Sequence, residues 1–223
     1  LRAVTWIGRA ADAALRGLAH EESARLYRLA LSIGHGHLDP EAECRRTLGL
    51  ARALHLSGDD AGGLESRRSA AALARDAGCP DLLAQAALAA EAIGPTATEE
   101  PTRRLCQETL AALPADAVAL RAQVTARYAE ACVYTAWSTE HALDDYAEAA
   151  AASTDALSLA DQCGDRAALQ AALRARRMAC SSPEGLDERE RLAERMLALS
   201  RESADTRVQL WARLWRIDAA FSA

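Results

Sequence analysis

The chain has 223 residues, a formal net charge of −6 at pH 7, and apolar residues at half of its positions. That size and apolar content exclude a disordered tail and a disulfide-dependent mini-domain, and the acidic balance argues against a grip on nucleic acid, which needs a basic face. Ala makes up roughly a quarter of the sequence, Lys and Asn are absent, and aromatic residues are only 4%, a composition that favours helix over strand.

Apolar residues recur at helical spacing almost throughout, and no segment alternates as a strand does. The first two helices are predicted over 3–18 and 21–33. The loop after them, SIGHGHLDP (32–40), holds His35, His37 and Asp39, with Cys44 just beyond. Two imidazoles and an acid are a transition-metal donor set. His-x-His alone lacks the further ligands and the supporting shell a metal site needs. Gly34, Gly36 and Pro40 are ordinary loop punctuation, so the loop reads as a polar connection, and no metal or cofactor is expected.

Helices are next predicted over 40–57 and 60–77, split by Gly58-Asp59-Asp60. Gly78-Cys79-Pro80-Asp81 then opens a helix over 81–93, followed by one over 101–113. Gly suits the position just after a helix, Pro its first turn and Asp its N-cap. Helices over 116–136 and 140–162 follow, and Gly164-Asp165 starts another over 165–180. The last two are predicted over 187–202 and 205–222. The total is five helical hairpins and one unpaired final helix.

Several groups invite a chemical reading. Cys132 and His141 are close in sequence, but a nucleophile–base pair needs hydrogen-bond reach and an orienting group, and Cys132 falls on an apolar helix face. The six cysteines, Cys44, Cys79, Cys106, Cys132, Cys163 and Cys180, form no CxxC pair and read as packed, reduced thiols. The stretch RARRMAC (174–180) places Arg174 and Arg177 for contact with a carboxylate or phosphate, or for pairing with acids of the 184–194 helix. DERERLAER (187–195) reads as a charge-laced solvent face. Trp211 and Trp215 lie one turn apart on the final helix, either as core or as a surface able to form a homodimer. No membrane-length apolar run or signal peptide is seen, so a cytoplasmic location is expected.

Three stretches begin alike. AGCPDLLAQAAL (77–88), QCGDRAALQAAL (162–173) and ESADTRVQLWARL (202–214) each carry a small residue, a helix starter and an Ala/Leu run. Asp165 and Asp205 lie forty residues apart, and Pro80 lies about two such units earlier. A two-helix unit recurring at this period indicates an all-α, right-handed solenoid, because a lone hairpin cannot bury its apolar faces and stacked neighbours can. LARALHLSGD (50–59) resembles the first helix of a tetratricopeptide repeat, with Leu50, Ala51 and Leu54 on one face before Gly58-Asp59. Ser23, Tyr27 and Ala30 match the spacing of that repeat's second helix. The Trp and Pro of the repeat consensus are mostly missing.

The region from Leu120 to Ala223 is similar to something narrower, the helical-repeat region of large actinobacterial LuxR-type signal-transduction ATPases. The Gly-Asp restart, PEGLDER (183–189), Leu-Trp-Arg (214–216) and LESRRSAAALARDAGCPDLLAQAAL (64–88) carry the likeness. The resemblance implies one helical-repeat domain over 1–223, cut from a longer protein between a P-loop ATPase and a helix-turn-helix domain. The start at Leu1 and the end within a helix agree with that expectation. No GxxxxGK[ST] occurs here, so the ATPase itself lies outside this stretch.

The resemblance also implies a non-enzymatic sensor or coupling array, with a protein or a small-molecule effector as partner and no direct contact with nucleic acid or membrane. First helices line the concave side of such arrays. Arg45, Arg52 and His55 in one unit, and Gln123, Glu130 and Tyr134 in another, are the expected partner-binding residues. Tyr128, Tyr134 and Trp137 gather the scarce aromatics near one helix end, either capping the apolar seam or forming a small-molecule pocket.

Overall fold

The computed structural model describes residues 2–89, 99–137, 141–181, 185–201 and 206–222. It contains eleven helices and, among the described residues, no strand. They are α1 (Arg2–Arg16), α2 (His20–Gly34), α3 (Pro40–Leu56), α4 (Asp60–Asp76), α5 (Pro80–Leu88), α6 (Glu99–Ala112), α7 (Val118–Ala136), α8 (Ala142–Cys163), α9 (Arg166–Ala179), α10 (Leu186–Arg201) and α11 (Thr206–Ser222). The sequence pattern therefore anticipates the class and the order of the elements. Helix α5 ends at Leu88 and Ala89 caps it. The predicted continuation to residue 93 lies outside the described residues beyond Ala89. Helix α7 begins two residues later than expected, because residues 114–117 make a turn closed by Ala117 N–H on the Pro114 carbonyl at 3.2 Å.

The restarts work as their chemistry dictates. Gly58 and Gly164 adopt left-handed φ values of 86° and 65°, which a residue without Cβ reaches at little cost. The next residue then caps the following helix. Asp59 accepts from Gly62 N–H at 2.9 Å, and Asp165 accepts from Ala168 N–H at 2.8 Å. Asp39 does the same for Ala42 N–H at 2.8 Å, with Pro40 in the first turn of α3.

The chain forms two compact units, residues 1–91 and 92–223. In the first, successive helices pack on one another, and α3 also touches both α1 and α5. In the second, α7 packs on α6, α8 and α9, α8 also packs on α9, and α9, α10 and α11 follow in turn. Most helices bury a short seam at i, i+4 and i+7. Examples are Val4-Gly8-Ala11 in α1, Ser23-Tyr27-Ala30 in α2, Cys44-Leu48-Ala51 in α3, Gly63-Arg67-Ala70 in α4 and Ala168-Ala172-Ala175 in α9. That spacing puts three side chains on one helical stripe. Small residues within the stripe let backbones approach closely. Ser23 shows it directly, its Oγ donating to the Ala11 carbonyl of α1 at 2.9 Å.

Tyr27 is the largest side chain in the core of the first unit, packed with Ala11, Ala24, Leu50, Ala53 and Leu54. Its hydroxyl end abuts Gly49 of α3, where any Cβ would overlap it. In the second unit, Leu173, Leu192, Met196, Val208, Ala212 and Trp215 close a core shared by α9, α10 and α11. Trp215 is buried as core, whereas Trp211 is 43% exposed beside exposed Leu210 and Leu214.

One restart departs from the others. Leu18 holds a φ of 62° at the end of α1, forty positions before Gly58, and its side chain is exposed. A left-handed non-Gly residue costs roughly 1–2 kcal/mol. Leu18→Gly is therefore expected to raise the stability of the first unit by about 1 kcal/mol. Gly49→Ala is expected to lower it by about 1–3 kcal/mol through overlap with Tyr27. Urea unfolding of both variants checks the opposite signs, and equal shifts in one direction would contradict this account of the unit.

Candidate functional site

Each unit carries a polar constellation on a rigid helical frame. In the first, Tyr27 reaches from α2 between α1 and α3, and its hydroxyl donates to Asp12 of α1. Burial, then the bond to the Asp12 carboxylate, pushes the phenol well above its ordinary range, while Arg52 and Arg16 act against this. Asp12 and Arg16 share a face of α1, one turn apart. Gly49 and Arg52 are related in the same way on α3.

The expected partner residues of this unit all belong to α3, two of them on its exposed face. Arg45 is exposed and paired with Glu41 one turn before it. Arg52 is exposed. His55 is half-buried, its Nδ1 3.0 Å from the Asp60 carboxylate at the start of α4. Arg45 and Arg52 share one face, and His55 is turned toward the α3–α4 junction.

In the second unit the polar groups converge on α7, whose flanks are buried by α6, α8 and α9. Arg127 donates to Glu99 of α6 at 2.8 Å, with only 5% and 3% of the two side chains exposed. One turn on, Glu130 accepts from Arg174 of α9 at 3.0 Å. Glu130, then Glu99, are the charges that most favour the raised state of Arg127 against its burial. Glu99, Arg127, Glu130 and Arg174 thus form an alternating chain of charges from α6 through α7 to α9. Tyr134 borders it. Burial, followed by the negative charge of Glu130 and Glu99, raises its phenol above the usual value.

A second network lies where α6 meets α7 and α8. Arg103 binds Asp145 at 2.7 Å and also Glu148. Tyr128 donates to Glu148 and accepts from Gln107 Nε2 at 2.9 Å. Cys132 lies beside this network. Its burial pushes the thiol up to about 12, against the opposing pull of Arg103, so almost no thiolate exists at neutral pH.

Of the residues expected at a partner face in this unit, Gln123 is half-buried and Glu130 is enclosed. Tyr134 is half-buried with its ring edge-on to Trp137, centroids 5.7 Å apart, and Trp137 is 60% exposed. Tyr128 is enclosed, so the aromatic trio divides into one core member and two at the surface. The expected anion contacts, Arg174 and Arg177, are both engaged internally, with Glu130 and with Asp218 of α11. The acids of the 184–194 stretch instead engage Arg176, which clasps Glu188 with two bonds of 2.6 and 2.7 Å.

The loop with His35 and His37 contributes Asp39 as a helix cap, and Cys44 is buried, donating to the Ala70 carbonyl at 3.2 Å. Among the described residues, no three His, Cys, Asp or Glu side chains are placed to hold a metal ion. No helix among them is long and apolar enough to cross a membrane.

Sequence reasoning passed over Glu99, Arg127, Arg103, Asp145 and Glu148. A signal for Arg127 existed, since it falls among the apolar positions Val124, Tyr128 and Ala131, where an unpaired charge would be costly. Nothing in the local sequence indicated its partner, which lies 28 residues away.

No protein-family model matches this sequence, and no curated protein matches it.

Breaking a buried ion pair from one side costs about 3–5 kcal/mol, whereas replacing both partners by apolar groups costs far less. Arg127→Met is therefore expected to destabilise the second unit by about that amount, and Arg127→Met combined with Glu99→Leu should recover part of the loss in urea unfolding. A double variant less stable than the single would show that Glu99 is held by something else. Glu188 titrates below its ordinary value because of its hydrogen bonds from Arg176. A carboxylate depressed on folding stabilises above its unfolded pKa, about 4.3, and loses that contribution as pH falls through the folded value. The stability gap between the native chain and Glu188→Gln should then be greatest near neutral pH and shrink below about pH 4.

Proposed function

We propose that this chain is a non-enzymatic binding array, a right-handed solenoid of tetratricopeptide-like hairpins in a cytoplasmic bacterial regulator of the LuxR-type ATPase class. A partner binds the concave side lined by the first helices of the hairpins and prefers one packing state of the array. That differential affinity shifts the equilibrium of the attached ATPase and DNA-binding domains.

The observation that carries the reading is the direct packing of odd-numbered helices on one another, α1 on α3, α3 on α5 and α7 on α9. Within each unit taken by itself, this arrangement supports a face built from first helices. Arg45 and Arg52 stand exposed on it in the first unit. Tyr134 and Trp137 offer an aromatic edge in the second. The buried ion chain through α7 suits coupling, because a charged link between three helices resists gradual deformation and favours discrete packings.

The test compares the native chain with an Arg45→Ala, Arg52→Ala, Tyr134→Ala variant as bait in host lysate, both first shown to be folded by circular dichroism. A protein retained by the native chain and lost by the variant supports the binding face. Equal retention by both moves the contact elsewhere on the array. Retention by neither, together with a metabolite that raises the melting temperature, replaces this reading with that of a small-molecule receptor.

A further inference from the structure

Helix α11 exposes more large apolar side chains than any other helix among the described residues. Leu210, Leu214 and Ile217 fall at i, i+4 and i+7 with Trp211 beside them, each about half exposed, and no other helix exposes more than two such side chains. The opposite stripe, Val208, Ala212 and Trp215, is spent on the core with α9 and α10, so the outer stripe is left uncovered. Arg213 and Arg216 flank it. Both are exposed, and neither has a carboxylate partner among the described residues. The one acid of this helix, Asp218, is bound to Arg177.

Helix α8 is the converse. It carries the acids Asp144, Asp145, Glu148, Asp155 and Asp161 and no basic residue. Its exposed stripe is Leu143, Ala147, Ala151, Thr154 and Ser158. Beyond Leu143 these are small side chains, which let another helix lie close. Arg103 engages Asp145 and Glu148, and Arg195 engages Asp161. Asp144 and Asp155 are exposed, with no cationic partner among the described residues. Arg176 reaches Thr154 from α9, but its charge is held by Glu188.

We infer that the outer face of α11 docks on α8 of a second copy of this chain, its Leu and Trp side chains over the small-residue stripe and its arginines beside the aspartates. The two faces fit in two independent ways. Large side chains meet small ones, which lets facing helices interdigitate. Arginines without a partner meet aspartates without one, whereas α11 against α11 would set like charges together. Both faces belong to the second unit, and neither includes a residue of the partner face proposed above. Two different surfaces meet, so the contact is heterologous and copies add head to tail, as a ring or a filament. Four half-exposed side chains present roughly 400 Å², against about 800 Å² per partner in a standard interface. The association is therefore weak and concentration-dependent.

Sedimentation equilibrium of the chain over about 1–500 µM tests it, a range that brackets a micromolar Kd. The native chain is expected to gain mass beyond a dimer as concentration rises, and less so in high salt. Leu214→Asp, Arg213→Glu with Arg216→Glu, and Asp144→Arg with Asp155→Arg all change exposed positions. Each, shown by circular dichroism to be folded, should weaken association about tenfold or more. An equal mixture of the two charge-reversed variants should associate again, because each then meets its complement.

A native chain that stays monomeric throughout the range overturns the inference. So does a mass that stops at the dimer and is insensitive to Asp144→Arg with Asp155→Arg, which would indicate a symmetric α11–α11 contact. Charge-reversed variants that remain monomeric when mixed would also overturn it, since the α11–α8 pairing requires their recovery.

Discussion

The structure depends on how closely its helices approach. A pair of Ala-rich helices buries little apolar area, since each methyl group removes only a small surface from water. What Ala and Gly provide instead is short distance. At Gly63 a Cβ would stand 3.2 Å from the His55 backbone nitrogen and 3.3 Å from the Ala51 carbonyl, which is near the limit for two helices in contact. Close backbones bring many atoms within dispersion range. They also leave narrow channels between helices, and the few large side chains fill these. Tyr27, Leu82, Leu173, Met196 and Trp215 are such fillers, all buried.

The same closeness explains the polar groups. A long side chain that starts in one layer of tightly packed helices ends in the next. Tyr27 begins on α2 and meets α1 and α3. Arg67, forty positions later, begins at the matching point of α4 and is only 4% exposed. Arg127 begins on α7 and ends at Glu99 of α6. Such charges need partners in place, because desolvation without pairing costs several kcal/mol. The ion chain through α7 is thus a consequence of thin layers as well as a link between helices. It makes the second unit sensitive to single charge removals in a way that an all-apolar seam would not be.

How much of this was legible in the sequence follows from the range of each interaction. Helix starts and stops are local. Asp39, Asp59 and Asp165 cap the helices that follow them within three residues, and Gly58 and Gly164 take the backbone conformation that Gly favours. One buried seam was legible as well, since Ser23, Tyr27 and Ala30 match the spacing of a tetratricopeptide repeat's second helix. The partners of Arg127, Arg103 and Arg174 lie 28, 42 and 44 residues away. No spacing rule in one sequence distinguishes a charge destined for solvent from one destined for a partner at that distance. Arg174 and Arg177 show the result, since their spacing fitted an anion contact or pairing with the acids of the 184–194 helix, and their partners are Glu130 and Asp218 on other helices. Arg52 shows the reverse, a residue named for its helix face that has no carboxylate partner among the described residues.

That contrast bears on what an arginine-rich, lysine-free surface can do. Guanidinium groups form planar, paired contacts more readily than ammonium groups. Most arginines near the helix junctions are used in this way, as Arg103, Arg127, Arg174 and Arg176 show. Internal pairing of this kind consumes charge that would otherwise attract acidic partners anywhere on the surface. Tyrosine commits a carboxylate in a similar way in the first unit, where the Tyr27 ring requires Gly at position 49 and its hydroxyl donates to Asp12. A side chain packed in the core thus fixes the partner of one surface carboxylate, Asp12.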